Sequence, residues 1–215
     1  MNAAIAIPPS SPRMTQTPIL QVQKLGLRRG GRRLIAPLDL QLHTGERGLL
    51  HGGNGSGKTT FMETLCGLLP TVEGSVHHVG RIGYVPQEPS FPDHLRCTDY
   101  LLQLHQLEGR GRAKRKAEVE IALNQFQLQN HASDRIGSLS RGWRQRMNLA
   151  RAWLGTPELL LLDEPQTALD PSGMLALQQA IDQAESCAIL IVAPQGVGCD
   201  DLAPVIAKLQ APEPA

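Results

Sequence analysis

The stretch HGGNGSGKTT, residues 51–60, decides how this chain is read. Within it Gly52-x-x-x-x-Gly57-Lys58-Thr59 fits the pattern of a phosphate-binding loop position by position. Gly52, Gly55 and Gly57 let the backbone turn tightly, so that successive N–H groups face one anion. The apolar pair Leu49 and Leu50 ahead of the loop predicts a buried strand. Residues 59–69 after it predict a helix, which places phosphates on a helix N-terminus. In that arrangement Lys58 reaches the β- and γ-phosphates and the Thr59 hydroxyl holds Mg²⁺. Gly53, Asn54, Ser56 and Thr60 complete the loop residues expected against nucleotide. A glycine-rich turn that merely contains a lysine would leave the flanking strand and helix unexplained.

Length and composition bound the rest. A chain of 215 residues suits one domain with a full core. A formal charge of +1 argues against a polyanion binder that works through bulk field. Cys66, Cys97, Cys187 and Cys199 are scattered, with no CxxC pair, which fits a reducing, intracellular compartment. No apolar run approaches the ~18 residues needed to span a bilayer, so any membrane role is expected to come through a partner. The start, MNAAIAIPPS, lacks a basic n-region and does not read as a signal peptide. Residues 1–18, rich in Pro, Ser and Thr, are expected to form a disordered tail, with Met14 an alternative start.

Working outward, residues 19–25 and 38–43 predict strands joined through the basic turn RRGGRR, residues 28–33. VEGSV (72–76) and RIGYVPQ (81–87) predict a short hairpin leading into a second buried strand. Over residues 91–136 the pattern turns helical. Leu95, Leu101, Leu102 and Leu104 fall at helical spacing, GRGRAKRK interrupts, and Val119, Ile121, Leu123 and Phe126 follow. The basic run at 110–116 reads first as a solvated face and second as a contact for nucleic acid or an acidic partner. Ser140 opens a helix to about Leu154. The apolar strand 159–162 ends in Asp163-Glu164, a helix covers 174–183, and 188–193 predicts a strand of the kind buried in parallel sheets. The tail after Gln210 is Pro-rich and expected to be loose. No internal repeat is visible, so one nucleotide-binding domain is expected over 19–210.

The acidic pair is the second chemical signal. Four leucines deliver Asp163 and Glu164 to the carboxyl end of a strand, where ligands bind in open α/β sheets. Asp163 is expected to hold Mg²⁺, and Glu164 to orient or deprotonate the water that attacks the γ-phosphate.

Taken together, GGNGSGKTT, YVPQE, LSRGWRQR, LLLLDEP and TALD resemble, in order and separation, the ATP-binding subunits of ABC transporters over roughly residues 19–209. The resemblance implies a P-loop α/β core with an antiparallel β portion and an inserted helical subdomain, about residues 91–155. It implies that Gln87 touches Mg²⁺ and the attacking water, and that Asp170 crosses a dimer interface. Leu139-Ser140-Arg141-Gly142-Trp143 resembles the family's signature, in which Ser140 and Gly142 would bind the γ-phosphate held by the opposite subunit. Arg141 and Trp143 depart from that pattern. Two further departures stand out. No aromatic lies near Arg29 to stack on adenine, a task Arg29 or Arg28 could take over with its guanidinium plane. Pro194 or Gln195 stands where a switch histidine is expected, which puts the hydrolysis rate in question.

The implied activity is ATP hydrolysis with ATP and Mg²⁺. The implied assembly is a dimer, of identical chains or with another ABC ATPase, on the cytoplasmic face of a membrane beside an integral permease subunit. The compact helical part and LSRG signature look most like exporter ATPases, including the haem-exporter group of cytochrome c maturation. A soluble ABC-type ATPase of a non-transport assembly and a degenerate half-site in a heterodimer are the competing expectations, and nucleic acid is not expected as a partner.

Overall fold

A computed structural model describes residues 17–29, 32–109 and 111–209; of the expected tails at 1–18 and 211–215, all but residues 17 and 18 lie outside the described residues. Among the described residues eight strands form two sheets. β1 (Leu20–Arg29), β2 (Arg32–Leu42) and β4 (Glu73–His78) make an antiparallel sheet in the order β2-β1-β4. A parallel sheet runs in the order β5-β6-β7-β3-β8, from β3 (Arg47–Gly52), β5 (Ile82–Val85), β6 (Leu159–Asp163), β7 (Ala188–Ala193) and β8 (Val205–Leu209).

The leucine-rich strands are continuous apolar runs because both faces of the parallel sheet are covered. Leu160 and Leu162 of β6 point into a core shared with α2 (Cys97–Leu107), α3 (Arg115–Gln125), α4 (Arg141–Trp153) and α5 (Pro171–Gln183). Leu159 and Leu161 point the other way, into a core closed by β1, β2 and α1 (Lys58–Leu65). The strand period of two thus divides one run of four leucines between two cores. Each is fully buried, and truncating one to alanine should cost roughly 2–5 kcal/mol.

Three expectations are corrected. The segments 72–76 and 81–87 do not pair as a hairpin: β4 lies at the edge of the antiparallel sheet beside β1, whereas β5 pairs in parallel with β6. Half-exposed β4, with Ser75, His77 and His78, suits an open edge, while apolar β5 is buried beside β6 and against α4. The first hairpin is longer than expected, and its arginines belong to strand ends: Arg28 lies opposite Arg33 and Arg29 opposite Arg32. Arg33 is held there by Glu73 of β4 at 3.0 Å. Ile121, an apolar position of the second helical run, is 63% exposed. The strand β8 had no counterpart in the reading of the sequence. Among the described residues no helix is long and apolar enough to cross a membrane.

Candidate functional site

The carboxyl ends of β3, β5, β6 and β7 carry residues 52–60, Gln87, Asp163-Glu164 and Pro194-Gln195 to one edge of the parallel sheet. The loop after β3 turns with Gly55 at φ +76° and Gly57 at φ +92°, a left-handed backbone that side chains resist. Gly57 is the residue before α1 and brings no side-chain cap. The first intrahelical bond runs from Phe61 N–H to Gly57 O. The N–H groups of Lys58, Thr59 and Thr60 therefore precede the helical ladder, at the positive end of the dipole. A cavity of about 290 Å³ opens on them, lined by Leu34, Asn54, Gly55, Gly57, Lys58, Thr59, Thr60, Gln87 and Glu164.

Lys58 is buried and curls back on its own loop. Its ammonium donates to Gly52 O at 2.9 Å and Gly53 O at 3.1 Å, and pairs with Glu164 Oε1 at 3.2 Å. Glu164 sits at φ +48° on the turn leaving β6, its N–H donating to Val192 O of the neighbouring strand at 2.9 Å.

Asp163, fully buried, accepts from Thr59 Oγ1 at 2.6 Å through Oδ2, while its Oδ1 has no hydrogen-bond partner. Burial pushes its carboxyl up from 3.8 to about 6; the Thr59 hydroxyl opposes that shift and the Glu164 carboxylate adds to it. An orphaned carboxylate oxygen beside a hydroxyl is a donor set that suits a hard divalent cation. Its charge would also relieve the cost of burying Asp163.

The remaining expected residues fall into two groups. Ser140, Gly142 and Asp170 do not line the cavity. They gather elsewhere: Ser140 caps α4 and accepts from Trp143 N–H at 3.4 Å, and a Cβ on Gly142 would meet Ala168 O at 2.9 Å. Arg146 stacks on Trp143 at 4.7 Å and also reaches Asp170 Oδ1, which accepts from Gly173 N–H at 2.8 Å as the cap of α5. That capping bond, then Arg146, holds the Asp170 carboxyl below its usual range. The side chain of Arg29 lies outside the described residues; Arg28 is exposed and does not line the cavity, where Leu34 of β2 appears instead. Gln195 is exposed and also absent from the cavity wall.

Sequence reasoning missed the buried underside of α4. Gln145 Nε2 donates to Pro165 O at 2.9 Å, and Asn148 Nδ2 donates to Pro86 O at 2.9 Å and to Gln145 Oε1 at 3.1 Å. The helix that Ser140 opens is therefore tied to the backbone beside both Gln87 and Glu164. Two amides spaced i, i+3 on an otherwise apolar helix face were the available signal.

A strand, a glycine-turned loop and a helix, with a buried aspartate from a second strand against the loop threonine, define a P-loop nucleotide-binding protein. Residues 35–167 match the protein family described as ABC transporter, and the chain belongs to that family. It is 38% identical over 179 residues to the zinc import ATP-binding protein ZnuC of Yersinia pestis bv. Antiqua (strain Antiqua), spanning 81% of this chain and 69% of that protein. It is 35% identical over 186 residues to the cytochrome c biogenesis ATP-binding export protein CcmA of Pseudomonas syringae pv. syringae (strain B728a), spanning 80% of this chain and 84% of that one. Among solved structures, one described as the ATP binding subunit of an ABC transporter superposes with a TM-score of 0.81 at 21% identity, over 90% of this chain and 88% of that one. The fold is thus the ABC-ATPase fold, and the chain is an ATP-binding, ATP-hydrolysing subunit of a transporter.

Proposed function

We propose that two such domains close face to face around two Mg·ATP and drive an integral membrane permease from its cytoplasmic face. Support for a dimer comes from the separation of parts. Lys58, Thr59, Gln87 and Glu164 share one cavity, whereas Ser140, Gly142 and Asp170 form a second surface apart from it. Ser140 and Gly142 would meet the γ-phosphate held by the opposite domain, with Asp170 at the seam. The nucleotide would lie against residues 52–60.

Within a site, phosphates would compete with Glu164 for the Lys58 ammonium, and Glu164 released from that pair would orient or deprotonate water. Asp163, Thr59 and Gln87 would hold Mg²⁺, which when bound offsets charge on the transferring phosphoryl group. ATP favours the closed pair only through contacts that the open pair lacks. Gln195 would stand in for the switch histidine, and the Arg29 guanidinium for the stacking aromatic.

Export is the favoured direction, supported by the more complete coverage of the export protein CcmA than of the import protein ZnuC. The test is Glu164→Gln, measured by phosphate release and light scattering in Mg·ATP. The variant should lose turnover by about a hundredfold or more and accumulate as dimer. A monomeric variant with wild-type turnover would refute the assignment.

A further inference from the structure

One side chain delivered by β3 has no part in the chemistry described so far. His51 directly precedes Gly52, is 5% exposed, and lies in register with Ala193 of β7 on one side and Lys208 of β8 on the other. Its strand neighbours are Leu49 and Leu50, so a polar ring here is costly unless its nitrogens find partners. Both do. Nε2 lies 2.9 Å from Asp200 Oδ1, and Nδ1 lies 3.4 Å from Ala193 O.

Ala193 is the last residue of β7, and Asp200 lies in the segment that follows it, the same one that carries Pro194 and Gln195. A second tether acts on it, because Cys199 Sγ donates to Gln166 Oε1, two residues past Glu164, at 2.9 Å. Leu202 and Ala203 then anchor it in the helical-side core. Between the end of β7 and these tethers run Gly196 and Gly198, at φ +77° and +80°, a backbone with much freedom to lose. At the end of β7 that leads into the segment, the Val192 carbonyl accepts from Glu164 N–H. The segment is thus pinned to the Glu164 turn at one side and to the root of the Lys58 loop at the other.

We infer that the His51–Asp200 pair is a positioning device for ATP hydrolysis, fixing the segment after β7 against the Lys58–Glu164 site. It rests on the hydrolytic role given to Glu164 above. Pro194 offers no side-chain donor, so any contact from this segment to a terminal phosphate falls to Gln195 or to backbone N–H groups. Such a contact is effective only if its geometry is set in advance. The imidazole supplies that setting from a neighbouring strand, where a leucine would have filled the space without holding the loop.

The test compares full chains carrying Asp200→Ala, His51→Ala, both, and His51→Gln in steady-state phosphate release with Mg·ATP. Asp200 is half-exposed, so its variant keeps the core intact even if loss of His51 disturbs folding. Asp200→Ala is expected to lower kcat about tenfold with KM for ATP unchanged, and the double variant should be no slower than the slower single one. His51→Gln, which retains an amide donor, should recover part of the loss. Amide hydrogen exchange over 194–203 should quicken in Asp200→Ala. Wild-type kcat and wild-type exchange in Asp200→Ala would overturn the inference while leaving the hydrolytic site standing. A wild-type chain that binds ATP but releases no phosphate would overturn both.

Discussion

The Thr59 hydroxyl donates to the Asp163 carboxylate at 2.6 Å, joining the first turn of α1 to the end of β6 across 104 residues of sequence. That bond uses one oxygen of a fully buried carboxylate and leaves the other without a partner. A folded-state value of about 6, above 3.8, means the charged form is penalised by folding. The penalty is absent below about 3.8, grows as pH rises, and is complete above about 6, hence at neutral pH. In metal-free buffer at neutral pH, Asp163→Asn should therefore raise Tm, through a gain in stability on the order of 1–3 kcal/mol. The same variant should lose the further rise that Mg·ATP gives the wild type. A metal-free Tm below that of the wild type would count against the buried-charge account.

Ser140 lies outside the cavity and caps α4. Ser140→Ala should cost about 1 kcal/mol as a lost cap. Nucleotide affinity of the single chain should not change, because no atom of Ser140 lines the Lys58 cavity. ATP-driven dimerisation should be lost, as seen by size-exclusion chromatography. Weakened ATP binding by the monomer would place Ser140 in the wrong half-site.

Asn148 ties α4 to the Pro86 carbonyl beside Gln87 and to Gln145. Asn148→Ala leaves both acceptors short of a donor in a buried place, with a cost of roughly 1–3 kcal/mol read from the denaturant midpoint. Because Gln87 follows Pro86, turnover should fall more than ATP affinity does. Equal losses in both would make Asn148 a packing residue alone.

How much of this was legible beforehand follows from the range of each interaction. The phosphate loop announced itself because Gly52, Gly57, Lys58 and Thr59 are close neighbours whose spacing is itself the chemistry. Asp163 and Glu164 were readable because a leucine run gives a strand and the polar pair marks its end. Membership of the P-loop α/β class followed from those two signals, and the comparisons bear it out. His51 and Asp200 are 149 positions apart, and nothing local distinguishes a histidine in a strand that meets a carboxylate from one that does not. The parting of β4 and β5 into different sheets was hidden for a similar reason: Val79 and Gly80 signal a turn but not which strand waits beyond it. β8 escaped notice because its five residues pair with β3, a strand more than 150 positions earlier, and no local pattern marks that pairing.

The most direct measurement is calorimetric titration of Mg·ATP into the wild-type chain and into Lys58→Ala. Lys58 donates to two loop carbonyls and pairs with Glu164, so it is the cation around which the cavity is built. The account predicts saturable uptake of one nucleotide per wild-type chain and none detectable in the variant. Uptake of equal strength by both chains, or by neither, would contradict it.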